Sequence, residues 1–512
     1  MAAREAVPYK NTTLRGNDGT EMSMGSMGAP LDGVGNQESA LGPGGVRLNS
    51  LRVTVICLVA MALTLMIPFV ENVYLYSLVT VLAACVAVPM WLDWNRRKLD
   101  LFAPIHVFGG LYFIYFGLGS IWTVQDPGRV AYDLHLATFV PEATLYCVIG
   151  YMALLVGYYL PWSRQPMTAK DELWPRGVAI AVVTGGLGFT GYLAIAVWTR
   201  ATWVGASLPG VVGSLGQLAP MFLMAWALAW ILFFAKEDSP RMRAVLFGLL
   251  VPGTGLIIFL TVSMKALLMV LLGVPAVARW YVRRKMPWVA LISLLLILVF
   301  IVFPFYNTFR WQDANLGQNE RLERTYQAVQ AWTPENYQLF STDTVKRRMA
   351  MINSVAVVVR DVGRWVPYAK GETLFIPFVT YFIPRVVWPD KPVQAQGQEF
   401  GRRFRITSYL TKETHIGATI PGELFWNFDL PGVIVGMALI GMGMRWLYRR
   451  YGESMALDPI RRAIYIVLLV QIAQLGGSLA PTVVGMVRPL ILIELICWIG
   501  RRYGMIETRP GS

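Results

Sequence analysis

The chain has 512 residues, of which 55% are hydrophobic and 15% are charged, and its mean hydropathy is +0.49. This composition excludes an ordinary soluble protein of this length and predicts an all-α, polytopic helical membrane protein. Apolar runs of about 18 to 21 residues recur, the length that a helix needs to cross the hydrocarbon core, without the short alternating segments of a membrane barrel. The four cysteines fall inside these runs, so neither a disulfide framework nor a zinc site is predicted.

In chain order, the sequence predicts a disordered cytoplasmic tail, nine membrane helices, one large outer loop, three more membrane helices and a short cytoplasmic tail. These regions cover residues 1–50, 51–306, 307–420, 421–500 and 501–512. The first region is rich in Gly, Ser and Asn and lacks apolar periodicity, which is typical of disorder. The predicted spans, about twelve in number, cover residues 53–70, 73–91, 102–122, 143–161, 178–198, 217–235, 244–262, 266–282, 288–306, 424–444, 463–480 and 483–500.

Basic residues cluster in every second short connection between these spans. Examples are Arg96, Arg97 and Lys98 after the second span, Arg283, Arg284 and Lys285 after the eighth, and Arg501 and Arg502 after the last. By the positive-inside rule, these connections and both termini are cytoplasmic, and the long 307–420 loop lies on the outer side. The net charge of +14 is therefore an orientation signal, and a nucleic-acid partner is not predicted.

The outer loop contains two segments with the pattern of membrane-associated helices that do not span. Residues 342–362 place apolar side chains at helical spacing and predict an amphipathic helix, either on the membrane surface or against the bundle. Residues 374–383 form an apolar run of about ten residues that contains Pro377, which is typical of a re-entrant or interfacial segment. Arg385 and Lys391 follow directly, and two cations at headgroup level suit an anionic lipid phosphate.

Three further ionisable residues lie where chemistry is expected. Glu423 is at the outer edge of the tenth span, where its carboxylate acts as a base or complements the dipole of the helix N-terminus. His415 is the only histidine of the loop, and it serves either acid–base chemistry or an ordinary hydrogen bond. Arg488 lies within the last span, where an ionisable group marks a functional site or forms an interhelical ion pair.

The sequence contains no motif for metal or nucleotide binding. It has no P-loop, no HExxH motif and no Asp-x-Asp pair, so neither a metal nor a cofactor is predicted. Residues 186–191 match GxGxxG, but they lie in an apolar span with no strand before them. Close helix packing is the better interpretation of these glycines.

Two strings in the late part of the chain carry a family resemblance. Residues 383–392 (IPRVVWPDKP) and 419–428 (TIPGELFWNF) resemble the paired signature of bacterial oligosaccharide repeat-unit polymerases of the O-antigen polymerase type. The layout, with about a dozen spans, cytoplasmic termini and a long late loop, is similar as well. The resemblance implies a GT-C-like glycosyltransferase of the bacterial inner membrane that works without a metal or nucleotide.

The resemblance also implies an activity, partners and site residues. Such an enzyme joins undecaprenyl-diphosphate-linked oligosaccharide repeat units on the periplasmic face, for exopolysaccharide, capsule or O-antigen, and works with membrane lipid, a chain-length regulator and a flippase. Departure of the lipid diphosphate develops negative charge, which preorganised cations stabilise. The candidate diphosphate ligands are Arg385, Lys391, Arg310, Arg403 and Arg488. The candidate catalytic residues are Arg385 and, as the base, Glu423 or His415.

Two other functions stay open. An O-antigen ligase uses the same donor with a different acceptor, and no sequence feature separates it from a polymerase. A transporter or flippase of lipid-linked oligosaccharide would show internal repeats and helices interrupted near the midplane. The sequence shows no clear repeat, and its polar residues concentrate in the outer loop, so transfer ranks above transport.

Overall fold

The computed structural model describes residues 71–96, 99–160, 171–176, 178–203, 210–236, 240–261, 273–283, 288–311, 318–383, 388, 396–407, 416–452, 458–473 and 477–510. Its helices begin with α1 (Glu71–Asn95), α2 (Pro104–Gln125), α3 (Pro127–Val130), α4 (Leu134–Tyr159), α5 (Ala179–Trp203), α6 (Gly210–Leu215), α7 (Gly216–Ala235), α8 (Pro240–Val245), α9 (Val251–Thr261), α10 (Val274–Arg283), α11 (Trp288–Ile297) and α12 (Phe303–Trp311). They continue with α13 (Gln318–Gln330), α14 (Pro334–Gln338), α15 (Thr344–Met349), α16 (Ile352–Asp361), α17 (Glu372–Phe382), α18 (Gln396–Arg403), α19 (Ile420–Leu447), α20 (Pro459–Ile472) and α21 (Leu479–Arg502). The strands are β1 (Asp171–Pro175) and β2 (Ile506–Pro510). Short π-helical turns at Leu246–Leu250, Leu298–Val302, Leu339–Asp343 and Tyr448–Gly452 join or extend neighbouring helices.

Within the described ranges, eight helical runs are long and apolar enough to cross a membrane. They are Val73–Asn95, Pro104–Gln125, Leu134–Tyr159, Ala179–Val197, Gly216–Ala235, Leu291–Phe309, Ile420–Gly452 and Leu479–Arg502. Each coincides with a predicted span, which confirms an all-α polytopic membrane protein apart from one two-stranded sheet. Predicted span 53–70 and residues 266–272 of span 266–282 lie outside the described residues, and the rest of the latter span corresponds to α10. Predicted span 244–262 corresponds to α8 and α9, and 463–480 corresponds to the shorter α20.

The buried apolar side chains form two clusters. The first joins α1, α2, α4, α16 and α19, and the second joins α7, α10, α20 and β1. Glycines let the helices approach closely: Gly188 and Gly191 of α5 lie against the backbone of Phe222 and Ala219 in α7. This confirms the interpretation of the GxGxxG match as a packing motif.

One end of the bundle, called the loop end, carries residues 126–133 and 339–371. Here Arg129 Nη1 pairs with Asp343 Oδ2 at 3.1 Å, which joins the connection between α2 and α4 to the long loop. The positive-inside rule assigns both of these segments to the outer side. Direct contact between them agrees with that assignment.

The opposite end, called the basic end, carries residues 99–103 and 445–452 together with β1 and β2. The buried carboxylate of Asp100 accepts hydrogen bonds from three side chains of other segments. The donors are Trp280 Nε1 at 3.1 Å, Tyr281 Oη at 3.1 Å and Tyr448 Oη at 3.0 Å. Strands β1 and β2 pair antiparallel, which ties the connection after α4 to the C-terminal segment. The connections that charge assigns to one side thus meet at one end, while the orientation of that end toward the cytoplasm stays a prediction.

The amphipathic helix predicted over 342–362 is two helices in the structure. Ala350 leaves helical geometry between α15 and α16, with its Cα close against Gly119 of α2. Helix α16 is buried on nearly all sides between α4 and α19. Of the two predicted placements, packing against the bundle is therefore the one observed for α16.

Helices α4 and α19 run parallel from the loop end, and their contact generates a stability prediction. A Cβ at Gly441 would clash with the Leu154 carbonyl of α4, whereas nothing lies within 4 Å of a Cβ at Gly443. We expect Gly441→Ala to lower the free energy of unfolding by about 1–3 kcal/mol, the usual effect of overpacking. Gly443→Ala is the matched control and should be neutral or slightly stabilising, because alanine favours helix. Thermal unfolding of both variants in one detergent measures the difference in stability. Equal unfolding midpoints for the two variants would contradict the close contact.

Candidate functional site

Two residues with strained backbone bound the first turns of α19. Thr419 precedes the helix with φ 62° and ψ 159°, a conformation that a β-branched residue rarely adopts. Phe428 and Asp429 then leave helical geometry, with φ 58° at Asp429. Strain of this kind persists only where surrounding contacts fix it, and it concentrates at functional sites. The segment 420–427 between these residues is therefore a candidate for function.

Glu423 lies in the first turn of this segment, with 1% of its surface exposed. Its Oε2 accepts a hydrogen bond from the backbone N–H of Leu479, the first residue of α21, at 2.5 Å. The Thr373 hydroxyl also hydrogen-bonds to the carboxylate. The carboxylate thus lies at the N-termini of two helices, where the dipoles favour negative charge. This geometry favours the dipole role over the role of base, because a base needs an open path to its substrate.

Asn427 connects the same segment to the start of α17. Its Oδ1 accepts a hydrogen bond from the backbone N–H of Gly371 at 2.8 Å, and its Nδ2 donates to Thr373 Oγ1 and to the Glu423 carbonyl, each at 2.7 Å. Gly371 has φ +94°, which a residue with a side chain rarely adopts. The buried polar groups are paired, so α17 is held firmly against α19.

Near the end of α17, the Tyr381 hydroxyl lies close to charges of opposite sign. Burial raises the pKa of Tyr381, Arg488 of α21 opposes the shift, and Glu423 reinforces it. Arg488 and Glu423 are therefore each within electrostatic range of Tyr381. Arg488 is half-buried, so its charge is screened less than that of an exposed arginine. The structure thus brings together two of the residues predicted from the sequence, Glu423 and Arg488.

Helix α17 is 11 residues long, too short to cross a membrane, and packs against α19 and α21. Four of its large apolar side chains are exposed. They are Phe375, Ile376, Phe378 and Val379. An apolar face left uncovered beside spanning helices is typical of contact with lipid. This matches the sequence prediction of an interfacial or re-entrant segment.

The remaining predicted site residues fall mainly outside the described part of the chain. Arg385, Lys391 and His415 lie outside the described residues. The backbone of Arg310 belongs to α12, and its side chain is not among the described parts of the structure. Their roles stay predictions.

Arg403, at the end of α18, already has partners. It pairs with Glu399 at 2.7 Å and with Glu372 at 3.6 Å. Its guanidinium also lies over the Trp426 ring, 5.5 Å from the centroid. Because two carboxylates offset its charge, its observed contribution is to hold α18 against α17 and α19.

A cleft of about 630 Å³ opens at the loop end. Its charged and most exposed aromatic lining residues are Arg360, Arg364, Arg405, Asp133, Asp361 and Trp365. None of the three arginines is among the site residues predicted from the sequence. The available signals were the spacing of Arg360 and Arg364, four residues apart, and the basic run 402–405. Among the described residues, no group of three or more His, Cys, Asp or Glu side chains could hold a metal ion.

The contacts of Glu423 generate a prediction that separates anchoring from catalysis. Glu423→Ala leaves the Leu479 N–H without its partner, and we expect it to lower the free energy of unfolding by about 1–3 kcal/mol. Glu423→Gln retains an acceptor oxygen and should lose less. Glu372→Ala is the control, because its carboxylate is about half exposed. Thermal unfolding of the purified variants measures the loss of stability in each. An unfolding midpoint that Glu423→Ala leaves unchanged would refute the anchoring role.

Comparison with known proteins adds one family. The model of the family described as Domain of unknown function (DUF8712) matches residues 135–405, more than half of the chain. The match begins in α4 and includes Arg360, Arg364 and Arg405 of the cleft, and it ends before α19 and α21. No curated protein and no solved structure matches the chain. The chain therefore belongs to the DUF8712 family.

Proposed function

We propose that the protein is a membrane glycosyltransferase that joins oligosaccharide repeat units carried on undecaprenyl diphosphate. The bond between the anomeric carbon and the diphosphate breaks, a hydroxyl of the next unit forms the new glycosidic bond, and its proton passes to a base. The diphosphate leaves with its lipid. The product is a polysaccharide of the exopolysaccharide, capsule or O-antigen type, made on the periplasmic face of the inner membrane.

The observation that carries this proposal is the position of Tyr381 and Arg488 beside the exposed apolar face of α17. A lipid-linked substrate reaches the protein from within the membrane, with its diphosphate at headgroup level. Helix α17 ends at Phe382, and Arg488 of α21 lies within electrostatic range of Tyr381 in its last turn. A cation in this half-buried setting stabilises a leaving diphosphate more strongly than a cation in bulk water.

Three residues beyond the described ranges complete the proposed site. Arg385 follows Phe382 by three residues, which limits its backbone to about 11 Å from the end of α17. It is therefore within reach of the same diphosphate, with Lys391 further along. His415, four residues before the strained Thr419, is the preferred base, because the Glu423 carboxylate is already engaged.

We also propose how the chain is arranged in the membrane. About twelve spans form a GT-C-like bundle, with both termini in the cytoplasm and the loop end in the periplasm. The segregation of the connections to two ends supports this arrangement. It also puts the diphosphate site on the side where repeat units are joined.

A transporter of lipid-linked oligosaccharide is a second candidate function. The observation that favours it is the break of α19 at Phe428 and Asp429, since transporters place interrupted helices at their binding sites. Transfer remains the better supported function, because the exposed apolar face of α17, Tyr381 and Arg488 lie in one region of the fold.

The glycan profile of cells that lack the gene tests the proposed function directly. We expect single repeat units to accumulate on the lipid carrier and long polymer to disappear, because the joining step is lost. Gel electrophoresis and mass spectrometry of the lipid-linked fraction measure both. Normal polymer retained on its carrier would identify a ligase instead, and repeat units trapped on the cytoplasmic leaflet would identify a flippase.

Substitutions of the proposed cations test the site within the purified protein. Arg488→Gln and Arg385→Ala should each reduce the rate of polymer formation from lipid-linked repeat units by about 10²–10³, the usual effect of removing one group that stabilises developing charge. Arg324→Gln is the matched control, because this exposed arginine pairs with Glu320 on α13. Wild-type rates in both site variants, with normal membrane insertion, would remove these residues from the site.

A further inference from the structure

The cleft at the loop end contains cations that the proposed diphosphate site does not use. It is formed by the connection before α4, the end of α16 and the segment after α18. Its volume of about 630 Å³ falls within the range of roughly 300–1,000 Å³ typical of small-molecule sites. These segments are far apart in the sequence and come together in the folded chain. The contacts among their side chains determine what the cleft can bind.

Arg360 is committed to the walls of the cleft. It forms a two-pronged contact with Asp361, with Nε to Oδ1 at 2.7 Å and Nη2 to Oδ2 at 3.0 Å. Its Nη1 pairs with Asp133 Oδ2 at 2.7 Å, and these contacts raise the pKa of Arg360. Arg360 therefore binds two segments together and is not available to a ligand.

Arg364 and Arg405 have a different environment. The Arg405 guanidinium lies 4.5 Å from the centroid of the Trp365 ring, and the Arg364 guanidinium lies 5.2 Å from that of Phe139. Both arginines are exposed, and neither forms an ion pair with a carboxylate in the described part of the chain. A guanidinium that stacks on a ring keeps its in-plane N–H groups for an anion.

The walls also offer what a sugar ring needs. Trp365 is 45% exposed, and its Nε1 donates to Asp361 Oδ1 at 3.1 Å, which fixes the ring. Aromatic rings pack against the apolar C–H faces of sugars, and the Asp133 carboxylate can accept hydrogen bonds from hydroxyl groups. Stacked cations, a fixed aromatic ring and acceptor oxygens thus line one cleft.

We propose that this cleft binds a saccharide that carries a negatively charged substituent, with Arg364 and Arg405 holding the charge and Trp365 holding a sugar ring. A uronic acid carboxylate and a phosphate ester present the same chemistry to two arginines. Phe404 of the cleft packs edge-to-face on Trp426 of the 420–427 segment, with ring centroids 5.1 Å apart. Where the proposed function holds, the cleft is therefore a glycan subsite that adjoins the 420–427 segment.

Equilibrium binding to the full-length protein in lipid nanodiscs tests this assignment. The probes are trigalacturonate, glucose 6-phosphate, neutral maltotriose and inorganic phosphate, titrated by calorimetry at low and high salt. We expect an acidic probe to bind at least tenfold more tightly than maltotriose and inorganic phosphate. Arg364→Gln and Arg405→Gln should each weaken that binding about tenfold, as expected for the loss of one charge-assisted contact. Trp365→Leu should also weaken it.

The binding assay has one matched control variant and three outcomes that would contradict the proposed saccharide site. Arg324→Gln removes an exposed arginine outside the cleft and should leave binding unchanged. Equal affinity for acidic and neutral saccharides, tighter binding of inorganic phosphate than of either acidic saccharide, or unchanged affinity in both arginine variants would each overturn the assignment.

The binding assay needs no lipid-linked donor, so its outcome does not depend on whether the proposed function is correct. Arginine-dependent binding of an acidic saccharide by a protein that forms no polymer would support the cleft assignment and overturn the glycosyltransferase proposal. Polymer formation by a protein that fails to select acidic probes would support the glycosyltransferase proposal and overturn the cleft assignment.

Discussion

A helix that stops inside a membrane must find partners for the backbone groups it releases, and this constraint governs the structure around α19. At the break, the Leu430 N–H donates to Asp429 Oδ1 at 2.7 Å. One turn earlier, Asn427 Oδ1 accepts from the N–H of Gly371, which begins α17. Glu423 accepts from the first N–H of α21. Asp429 thus satisfies a backbone group within α19, while Asn427 and Glu423 satisfy backbone N–H groups at the starts of α17 and α21 and so fix both helices beside α19.

This arrangement explains how a mostly apolar bundle positions charge near its surface. Arg488 projects from a spanning helix, where an ionisable group is costly unless it has partners or a function. Glu423 and Tyr381 share its surroundings, and Thr419 holds a conformation that would relax if the neighbouring contacts were lost. Backbone strain, a buried carboxylate and a half-buried cation thus occur within one region of the fold. Hydrogen bonds between its polar groups join α17, α19 and α21.

Much of the fold could be predicted from the sequence, and the limits of that prediction have physical causes. Apolar length identifies the spans, and charge asymmetry identifies which connections meet, because both are local properties of the chain. The break at Ala350 depends on contact with Gly119 of α2, which periodicity does not report. The partner of Glu423 is a backbone group 56 residues later. The cleft likewise joins side chains from distant segments, so its arginines looked like ordinary surface charge.

Arg488 beside α17 and the arginines of the cleft, Arg364 and Arg405, lie in surroundings of different dielectric constant. This difference suggests a division of roles between the two regions. A charge within a half-buried region interacts strongly and is weakly screened by salt, which suits the stabilisation of charge that develops during a reaction. Exposed arginines stacked on aromatic rings interact more weakly and are screened within about 10 Å at 0.1 M salt. Such groups contribute selection and encounter more than rate. Chemistry beside α17 and recognition in the cleft are therefore the roles that their electrostatic settings favour.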